Sequence, residues 1–579
     1  MDTSAEYDVA PAEADTPAPV ACEGRLAALA ASAALAACGG GGGDSSGSDG
    51  GAGAGAGAGG GATPTAPSAA EASRFLAQAS MGASRADIAR VQAIGYAAWI
   101  DEQFATPAAP TRWDALVAGG FADPSFKNGE GGFDACAWRK LIASPDTLRQ
   151  RVTLALSELM VVSIDSLTGG GWKAFAAANY LDLLEANAFG NYRDLMQAVS
   201  TNTAMGMYLT FRASKKANPA SGSLPDENYA RELMQLFTIG LVQLNPDGST
   251  KLVAGQPVPT YALADITGLA RVFTGWDFDL QGQTGAVGTA TPDFMRRPMV
   301  QIAGRHELGA KTFLGITIPA NTDGVQSLKI ALDAIFAHAN VAPFVCRQLI
   351  QRLVASNPSP AYVARAAAVF NDDGSGVRGN LKAVVKAILL DDEARSATVA
   401  AGVSAGKLRE PMLRFVAWAR AWSATSPSDL WQIGDTSSAS TRLGQSPLRS
   451  PSVFNFFRPG YVPPNSAIAT AALVAPEFQI TNESTVVGAV NYLQRAVSGA
   501  GVGDLAANYA SLLAFADDAV ALVAEINLVL AAGQLSAATA TTISTAVATL
   551  AGGSDANRLK RIYASLTLVM ATPEFVVLK

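Results

Sequence analysis

The chain has 579 residues, of which 49% are hydrophobic and only 16% are charged, and its net charge is −7. Non-specific nucleic-acid binding needs a basic surface that neutralises phosphates, so this acidic balance argues against a nucleic-acid partner. The cysteines do not suggest a disulfide framework, because two lie near the N-terminus and the other two are far apart. They are Cys22, Cys38, Cys136 and Cys346.

Residues 1–38 are predicted to be a leader that ends in a lipoprotein signal. Arg25 is a short basic flank, and the apolar run 26–37 that follows is shorter than the roughly 20 residues of a membrane-spanning helix. The run ends in Leu35-Ala36-Ala37-Cys38, which resembles a bacterial lipobox, where the cysteine thiol accepts a diacylglycerol. We expect Cys38 to be lipidated and the protein to be exported to the periplasm or cell surface.

An alternative for the run 26–37 is a hydrophobic helix of the mature protein. The segment before Arg25 is acidic, whereas the first part of a secretory signal is basic. A mis-assigned start codon or a non-functional signal would explain this difference.

Residues 39–70 are rich in glycine, serine and alanine, which predicts a disordered linker that cannot bury a core. Residues 71–579 are predicted to form a mainly α-helical body, since apolar positions recur at helical spacing along most of it. Ser84 starts one such helix with a Ser/Asp cap. A division into two subdomains is open, with a boundary near 400–450.

Two parts of the body depart from this helical pattern. Residues 278–318 contain short β-prone pieces between Gly, Asp and Pro, so an irregular insertion with a little strand is expected there. The segment 444–464, GQSPLRSPSVFNFFRPGYVPP, is rich in proline and aromatic residues. Phe454–Pro464 is either a sugar- or peptide-binding surface or a buried connector, and we favour the connector.

The segment Pro225–Gly240, PDENYARELMQLFTIG, has the densest group of polar side chains in this charge-poor chain. On a regular helix, one arc is polar and another is apolar, and Asp226 is a suitable N-cap. The pattern alone favours a solvated helix face over a functional site. The polar arc consists of Glu227, Asn228, Arg231, Glu232, Gln235 and Thr238.

This segment, followed by DITGLARVFTGW and RHELGAKTFLG, resembles the signature of a bacterial family called domain of unknown function 1800. Further blocks in the same order, from RFLAQASMGAS near the start to TPEFVVLK at the end, extend the similarity over about residues 73–579. Some relatives carry a W-H-N-H run where this chain has ALSELMVVS, so a metal site built on those histidines is absent here. The resemblance implies a fold and a residue set, but no reaction.

The matching positions define the candidate site. Glu232, Asp265 and His306 are the candidate catalytic residues. The candidate binding or charge-stabilising residues are Glu227, Asn228, Arg231, Arg271, Trp276 and Lys311. If the cluster is buried, its carboxylates must be paired, and Arg231, Arg271 and Lys311 are the available cations.

Three roles remain open for this cluster: a structural network, ligand binding and catalysis. No cofactor motif is evident, since G-x-x-x-x-G-K-[ST] does not occur and His306-Glu307-Leu308-Gly309-Ala310 lacks the second histidine of a zinc motif. No metal site is therefore predicted, although Glu232 and Asp265 could hold a divalent cation.

Two function classes fit these observations. The first is a lipid-anchored binding or scaffold protein of the cell envelope. The resemblance implies a partner from a secreted family, domain of unknown function 1501, whose genes often neighbour those of the family. The second is an envelope hydrolase or transferase in which Glu232, Asp265 and His306 move protons while Arg231 and Lys311 stabilise charge.

Overall fold

A computed structural model describes residues 66–283 and 290–579. The predicted leader, the lipobox with Cys38 and nearly all of the predicted linker lie outside the described residues. The first helix begins at Ala69, close to the expected start of the folded body.

The described residues form a mainly α-helical body, as predicted. The helices α1–α24 are, in chain order, Ala69–Ala79, Arg85–Ala105, Arg112–Ala118, Phe133–Ala143, Thr147–Leu159, Lys173–Asn187, Tyr192–Ser200, Thr203–Tyr208, Asn228–Glu232, Leu263–Ala270, Gly324–Ala337, Val341–Leu353, Pro360–Asn371, Leu381–Leu390, Asp392–Arg395, Ala397–Ala400, Pro411–Ala421, Ala467–Thr470, Glu483–Val497, Ala510–Leu513, Ala519–Ala531, Ala537–Ala548, Asp555–Met570 and Pro573–Val576.

The strands are short and pair as four antiparallel two-stranded sheets. Strands β1–β8 are Leu252–Val253, Gln256–Pro257, Trp276–Asp277, Val300–Gln301, Lys311–Phe313, Ile316–Ile318, Lys407–Leu408 and Val577–Leu578. The register pairs Trp276 with Gln301 and Lys311 with Ile318. Three of these strands, with short 3₁₀ turns, lie in the predicted β-prone insertion 278–318, which is therefore confirmed.

The first helices start where the sequence provides caps. Ser84 and Asp87 form a capping box at α2. The Ser84 hydroxyl accepts a hydrogen bond from the Asp87 amide, and the Asp87 carboxylate accepts one from the Ser84 amide. Ser68 and Glu71 form the same arrangement at α1. The predicted Ser/Asp cap is confirmed.

One contiguous hydrophobic core joins the body. Phe75 near its start, Trp138 in α4, Trp418 in α17 and Phe575 near its end all belong to this core. Residues on both sides of 400–450 thus contribute to it, while the division into two subdomains stays a prediction.

Within residues 66–283 and 290–579, no single helix is long and apolar enough to cross a bilayer. The pair α11 and α12 meets the length and composition criteria together, with a bend of 75° between its two halves.

Helix α10 lies against strand β5 and so brings two of the predicted blocks together. Gly268 permits this approach: a Cβ at this position would lie 1.8 Å from the Thr312 carbonyl oxygen. The block DITGLARVFTGW is therefore in direct contact with the block RHELGAKTFLG.

Candidate functional site

The polar segment after Pro225 begins as an α-helix and continues as a π-helix. The Asp226 carboxylate accepts a hydrogen bond from the Asn228 amide at 2.9 Å, at the start of α9. Residues 233–238 then form the wider π turns, in which the Thr238 hydroxyl donates to the Leu233 carbonyl. Thr238 is fully buried, so the regular helical wheel was wrong in placing it on the polar arc. Such π turns are frequent at functional sites.

Glu232 lies where the α-helix changes into the π-helix. Only 6% of it is exposed, and its Oε2 atom is buried with no hydrogen-bond partner in the described part of the chain. Burial raises the pKa of the Glu232 carboxyl, and the adjacent Arg231 partly offsets this rise. Arg231 itself pairs with Glu227 at 3.3 Å. A carboxyl of this kind is suited to proton transfer because its pKa is shifted towards neutrality.

Glu227 and Asn228 connect α9 to its neighbours. The Glu227 carboxylate accepts a hydrogen bond from the Thr267 hydroxyl of α10 at 2.7 Å. Asn228 Nδ2 lies 3.5 Å from the hydroxyl oxygen of Thr210, which follows α8. This part of the polar face therefore contacts the body rather than only solvent.

Asp265 holds two pieces of backbone together. Its Oδ2 atom accepts a hydrogen bond from the Ala262 amide and its Oδ1 atom accepts one from the Leu314 amide, both at 2.7 Å. The first bond fixes the start of α10, and the second fixes the turn between β5 and β6. The expected pairing of Asp265 with a cation is replaced by these backbone bonds, while its catalytic role stays a prediction.

His306 is buried beside Thr274. Its Nδ1 atom lies 2.9 Å from the Thr274 carbonyl oxygen, so this nitrogen carries the proton and donates it. Nε2 is buried with no partner among the described residues and is left as an acceptor. Burial lowers the pKa of His306, which keeps the ring neutral.

Lys311 of β5 and Arg271, which follows α10, both contact the loop of residues 307–310. Lys311 is fully buried, its Nζ atom is 3.4 Å from the Gly309 carbonyl oxygen, and burial lowers the pKa of its amine. Arg271 donates to the Ala310 carbonyl at 2.8 Å and lies 3.7 Å from the Glu307 carboxylate. Arg271 thus pairs with Glu307, and the expected pair with Glu232 does not form among the described residues.

Trp276 adds a third buried polar atom without a partner. Its Nε1 atom and the Nε2 atom of the paired residue Gln301 make no hydrogen bond within residues 66–283 and 290–579, like Nε2 of His306. Gly275 lies between them: a Cβ there would be 2.7 Å from Gln301 Nε2 and 3.1 Å from the His306 amide. Buried polar atoms without a partner are uncommon in folded proteins, which sets this part of the loop apart from the rest of the body.

The structure thus brings the three predicted blocks together but gives their residues different surroundings. Asp265, Arg271 and Glu307 hold the loop to the body, whereas Glu232 and His306 keep buried atoms free for another partner. In the described residues, no group of three or more His, Cys, Asp or Glu side chains is arranged to hold a metal ion. The divalent cation at Glu232 and Asp265 stays a prediction.

Sequence reasoning missed a second polar cluster in the core. Glu158 of α5 and Glu410, just before α17, are both buried, and each lies within 4 Å of a buried cation: Arg352 for Glu158 and Lys407 for Glu410. Two features of the sequence could have indicated this cluster. One is a lone glutamate in the apolar run ALSELMVVS, and the other is the run Lys-Leu-Arg-Glu just before a predicted helix. The other members are Arg151, Arg352, Lys407 and Glu477.

Comparison with known proteins gives one match. No curated protein and no solved structure matches the chain. The family described as Protein of unknown function (DUF1800) matches residues 74–577, which include all three predicted blocks and both polar clusters. The chain therefore belongs to this family.

Proposed function

We propose that the chain is a binding or scaffold protein of the cell envelope that recognises a secreted protein through exposed apolar side chains on and beside a β-hairpin. The observation that carries this proposal is a group of four exposed large apolar side chains, which we call the hairpin face: Leu241, Leu252, Val253 and Leu263. Each of them is at least 57% exposed.

The hairpin face is built on a compact unit of backbone, residues 241–260. The Gln243 amide donates to the Val258 carbonyl at 2.8 Å, and the Lys251 amide donates to the Gln243 carbonyl at 2.8 Å. The Leu241 carbonyl accepts from the Thr260 amide at 3.1 Å, three residues before Leu263. Leu241, Leu252 and Val253 therefore belong to one ordered unit, and Leu263 follows it as the first residue of α10.

A buried side chain at the start of α12 helps to join this unit to the body. Asn340, at the start of α12, donates from Nδ2 to the carbonyls of Ile239 and Val242, both at 2.8 Å. Its Oδ1 atom accepts from the Leu244 amide at 2.9 Å. This attachment lowers the conformational cost of binding, because the surface is already fixed before a partner arrives.

Exposed apolar groups on a rigid surface favour protein recognition. Large apolar anchors dominate the energetics of protein interfaces, whereas isolated exposed residues need no explanation. The tether and the lipid at Cys38 would hold the body near the membrane, where an exported partner is met. The partner that we propose is the secreted protein of the family called domain of unknown function 1501, which the family resemblance implies.

The test is direct binding between the purified body and this secreted protein. Leu252→Asp combined with Leu263→Asp should weaken binding by at least about tenfold, because a charge would be buried in the interface. The matched control is Val403→Asp with Val520→Asp, which changes two exposed apolar residues outside the hairpin face and should bind like the wild type. Equal binding by both double variants, or no binding by the wild type, contradicts the proposal.

A second candidate function is an envelope hydrolase or transferase. The observation in its favour is Glu232, a buried carboxyl with a raised pKa and an unpartnered oxygen at a π turn. Turnover of ester, glycoside or phosphoester substrates by the wild type, and its loss in the folded variant Glu232→Gln, would support this function. A wild type that turns over none of these substrates argues against it.

A further inference from the structure

A groove lies between the start of α2 and one side of α21, away from the hairpin face and from Glu232. Its volume is about 570 Å³, which is a size at which clefts hold small molecules. The residues that follow α17 and the segment 508–515 form its other two walls. We call it the α2–α21 groove.

Backbone hydrogen bonds hold these two other walls together. The Asn508 amide donates to the Trp422 carbonyl at 2.8 Å. Thr425 and Ala506 each donate to the carbonyl of the other at 2.9 Å, as in a short antiparallel ladder. This part of the groove is therefore formed before a ligand arrives, which lowers the cost of binding.

One ion pair crosses the α2–α21 groove. Nε of Arg85, the first residue of α2, lies 3.7 Å from Oε1 of Glu525 in α21, and the side chains are 54% and 17% exposed. The distance is too long for a direct hydrogen bond, so the carboxylate remains able to accept and the guanidinium remains able to donate. The two charges cancel, and no other charged side chain is among the described residues that line the groove. This balance favours a neutral ligand over an anion or a cation.

Uncharged polar side chains surround this pair. Oδ1 of Asn508 accepts from the Ala510 amide at 3.0 Å, which fixes the orientation of the side-chain amide and leaves Nδ2 as a donor. Ser423 and Ser511 are exposed on the same groove, and a hydroxyl both donates and accepts. Donors and acceptors therefore lie on every wall, which suits a ligand with several hydroxyl groups.

An aromatic ring completes the lining. Phe515 is 37% exposed, whereas Trp422 and Leu512 form buried parts of the lining. Arg561 of α23 donates to the Ala516 carbonyl at 3.1 Å and fixes the backbone next to the phenylalanine ring. The face of an aromatic ring is negative, so the weakly positive C–H groups of a sugar pack against it. A sugar ring has such a C–H face together with hydroxyl edges, and both match this groove.

An extended peptide is the other neutral ligand that carries donors and acceptors. Peptides are commonly held by the open edge of a sheet or, as helices, by a long apolar groove. None of the strands β1–β8 is part of the described lining, and each of the four walls carries a polar side chain. The lining thus favours a sugar over a peptide.

We propose that the α2–α21 groove binds a neutral sugar. The C–H face of one sugar ring lies on Phe515, while Glu525 accepts a hydrogen bond from one hydroxyl and Arg85 donates to its neighbour. Nδ2 of Asn508 donates to a further oxygen of the ligand. This binding activity goes beyond the partner recognition proposed above and does not depend on it.

Titration of the full folded chain with three neutral trisaccharides tests the proposal. The probes are maltotriose, cellotriose and tri-N-acetylchitotriose, and trialanine is the peptide probe. Binding is measured by calorimetry and by tryptophan fluorescence, since Trp422 lines the groove. The wild type should bind at least one of the three sugars and should not bind trialanine.

Two variants locate the sugar. Phe515→Ala and Glu525→Gln should each weaken sugar binding by at least about tenfold, because the first removes the aromatic face and the second a charged acceptor. The matched controls are Phe126→Ala and Glu483→Gln, which change an exposed phenylalanine and an exposed glutamate outside the groove. Both controls should bind like the wild type, and the melting temperatures of all four variants show that they are folded.

A wild type that binds none of the three sugars overturns the proposal. Binding of trialanine in place of the sugars would assign the groove to peptides and overturns it as well. Sugar binding that is unchanged in Phe515→Ala or in Glu525→Gln, or that is weakened equally in the controls, contradicts this site.

Discussion

The carboxylate of Asp265 accepts a hydrogen bond from the backbone amide of Leu314 at 2.7 Å, across 49 positions of the chain. Leu314 has a positive φ of 47° in the tight turn between β5 and β6, a conformation that is costly for a leucine. A charged acceptor offsets part of this cost. One carboxylate thus fixes both the start of α10 and the turn that carries the loop of His306 and Lys311.

We therefore expect Asp265→Ala to destabilise the protein by about 2–3 kcal/mol, since two backbone amides lose a charged acceptor. The measurement is chemical denaturation of the purified body. Asp247→Ala is the matched control, because the Asp247 carboxylate bonds only to Ser249, two residues away, and a smaller loss is expected. Equal effects of the two changes would contradict the role of Asp265 as a clamp.

Asn340→Ala is expected to loosen the hairpin unit more than the rest of the body. The change leaves the carbonyls of Ile239 and Val242 without their side-chain donor, which costs about 1–3 kcal/mol for each buried group that stays unpaired. Hydrogen exchange should rise in residues 241–260 while the core helices stay protected. Unchanged exchange in that unit would show that Asn340 is not its anchor.

Glu232→Gln is expected to stabilise the protein, and more so as the pH rises. Burial raises the pKa of Glu232, so the folded state keeps a proton that the unfolded state has lost, and stability falls as pH rises through the folded pKa. Glutamine removes this dependence. The melting temperature of the variant minus that of the wild type should increase with pH, and a constant difference would contradict the burial argument.

The same change also separates the two candidate functions. A residue that costs stability and contributes to catalysis gives a more stable but inactive variant. If Glu232→Gln is more stable and still binds the secreted partner as the wild type does, recognition does not need the Glu232 carboxylate.

The pH dependence of stability should also report the proton on Glu158. Because the pKa of Glu158 is raised in the folded state, binding of its proton stabilises the fold. This stabilisation is complete below about pH 4.5 and is lost as pH rises towards the folded-state pKa. Within that range the free energy of unfolding falls by about 1.4 kcal/mol per pH unit for one extra bound proton. The pKa of Glu410 is lowered in the folded state, so its contribution has the opposite sign. The stability that ionised Glu410 contributes is lost as pH falls below its ordinary pKa.

Other groups titrate in the same range, so the wild type must be compared with Glu158→Gln. Denaturation at a series of pH values above about 4.5 should give a steeper decline in stability for the wild type than for the variant. Parallel curves would show that Glu158 is ionised in the folded protein.

Cys38→Ala tests the anchor. We expect a fatty-acid analogue to label the wild type in cells and to leave this variant unlabelled, since the Cys38 thiol is the predicted acceptor of the diacylglycerol. Cys22→Ala changes the other cysteine of the leader and should be labelled like the wild type. Equal labelling of all three proteins would contradict lipidation at Cys38.

Local sequence signals predicted much of the fold. Ser84 and Asp87, three positions apart, specify the start of a helix. The helices themselves are predicted by apolar residues that recur at helical spacing along the chain. The β-prone insertion was visible because Gly, Asp and Pro interrupt short apolar pieces. These features depend on neighbours in sequence, so the sequence alone was enough for them.

The predicted polar segment was correct in position but not in detail. A regular helical wheel assigns each side chain by 100° per residue, and the π turns after Glu232 change that rotation. The π turns lie in the core, since Leu233, Met234, Phe237 and Thr238 are all buried. The pattern of side chains does not contain this information.

By itself, the sequence determined the helical class, the caps, the irregular insertion and the family membership of the chain. Only the tertiary structure decided the partners of its charges. Asp265 bonds to a backbone amide rather than to a cation, and Arg271 meets Glu307. Glu158 and Glu410, 252 positions apart, meet in the core. A charge finds its partner through packing between distant segments, because desolvation makes an unpaired buried charge costly wherever its partner lies in the chain.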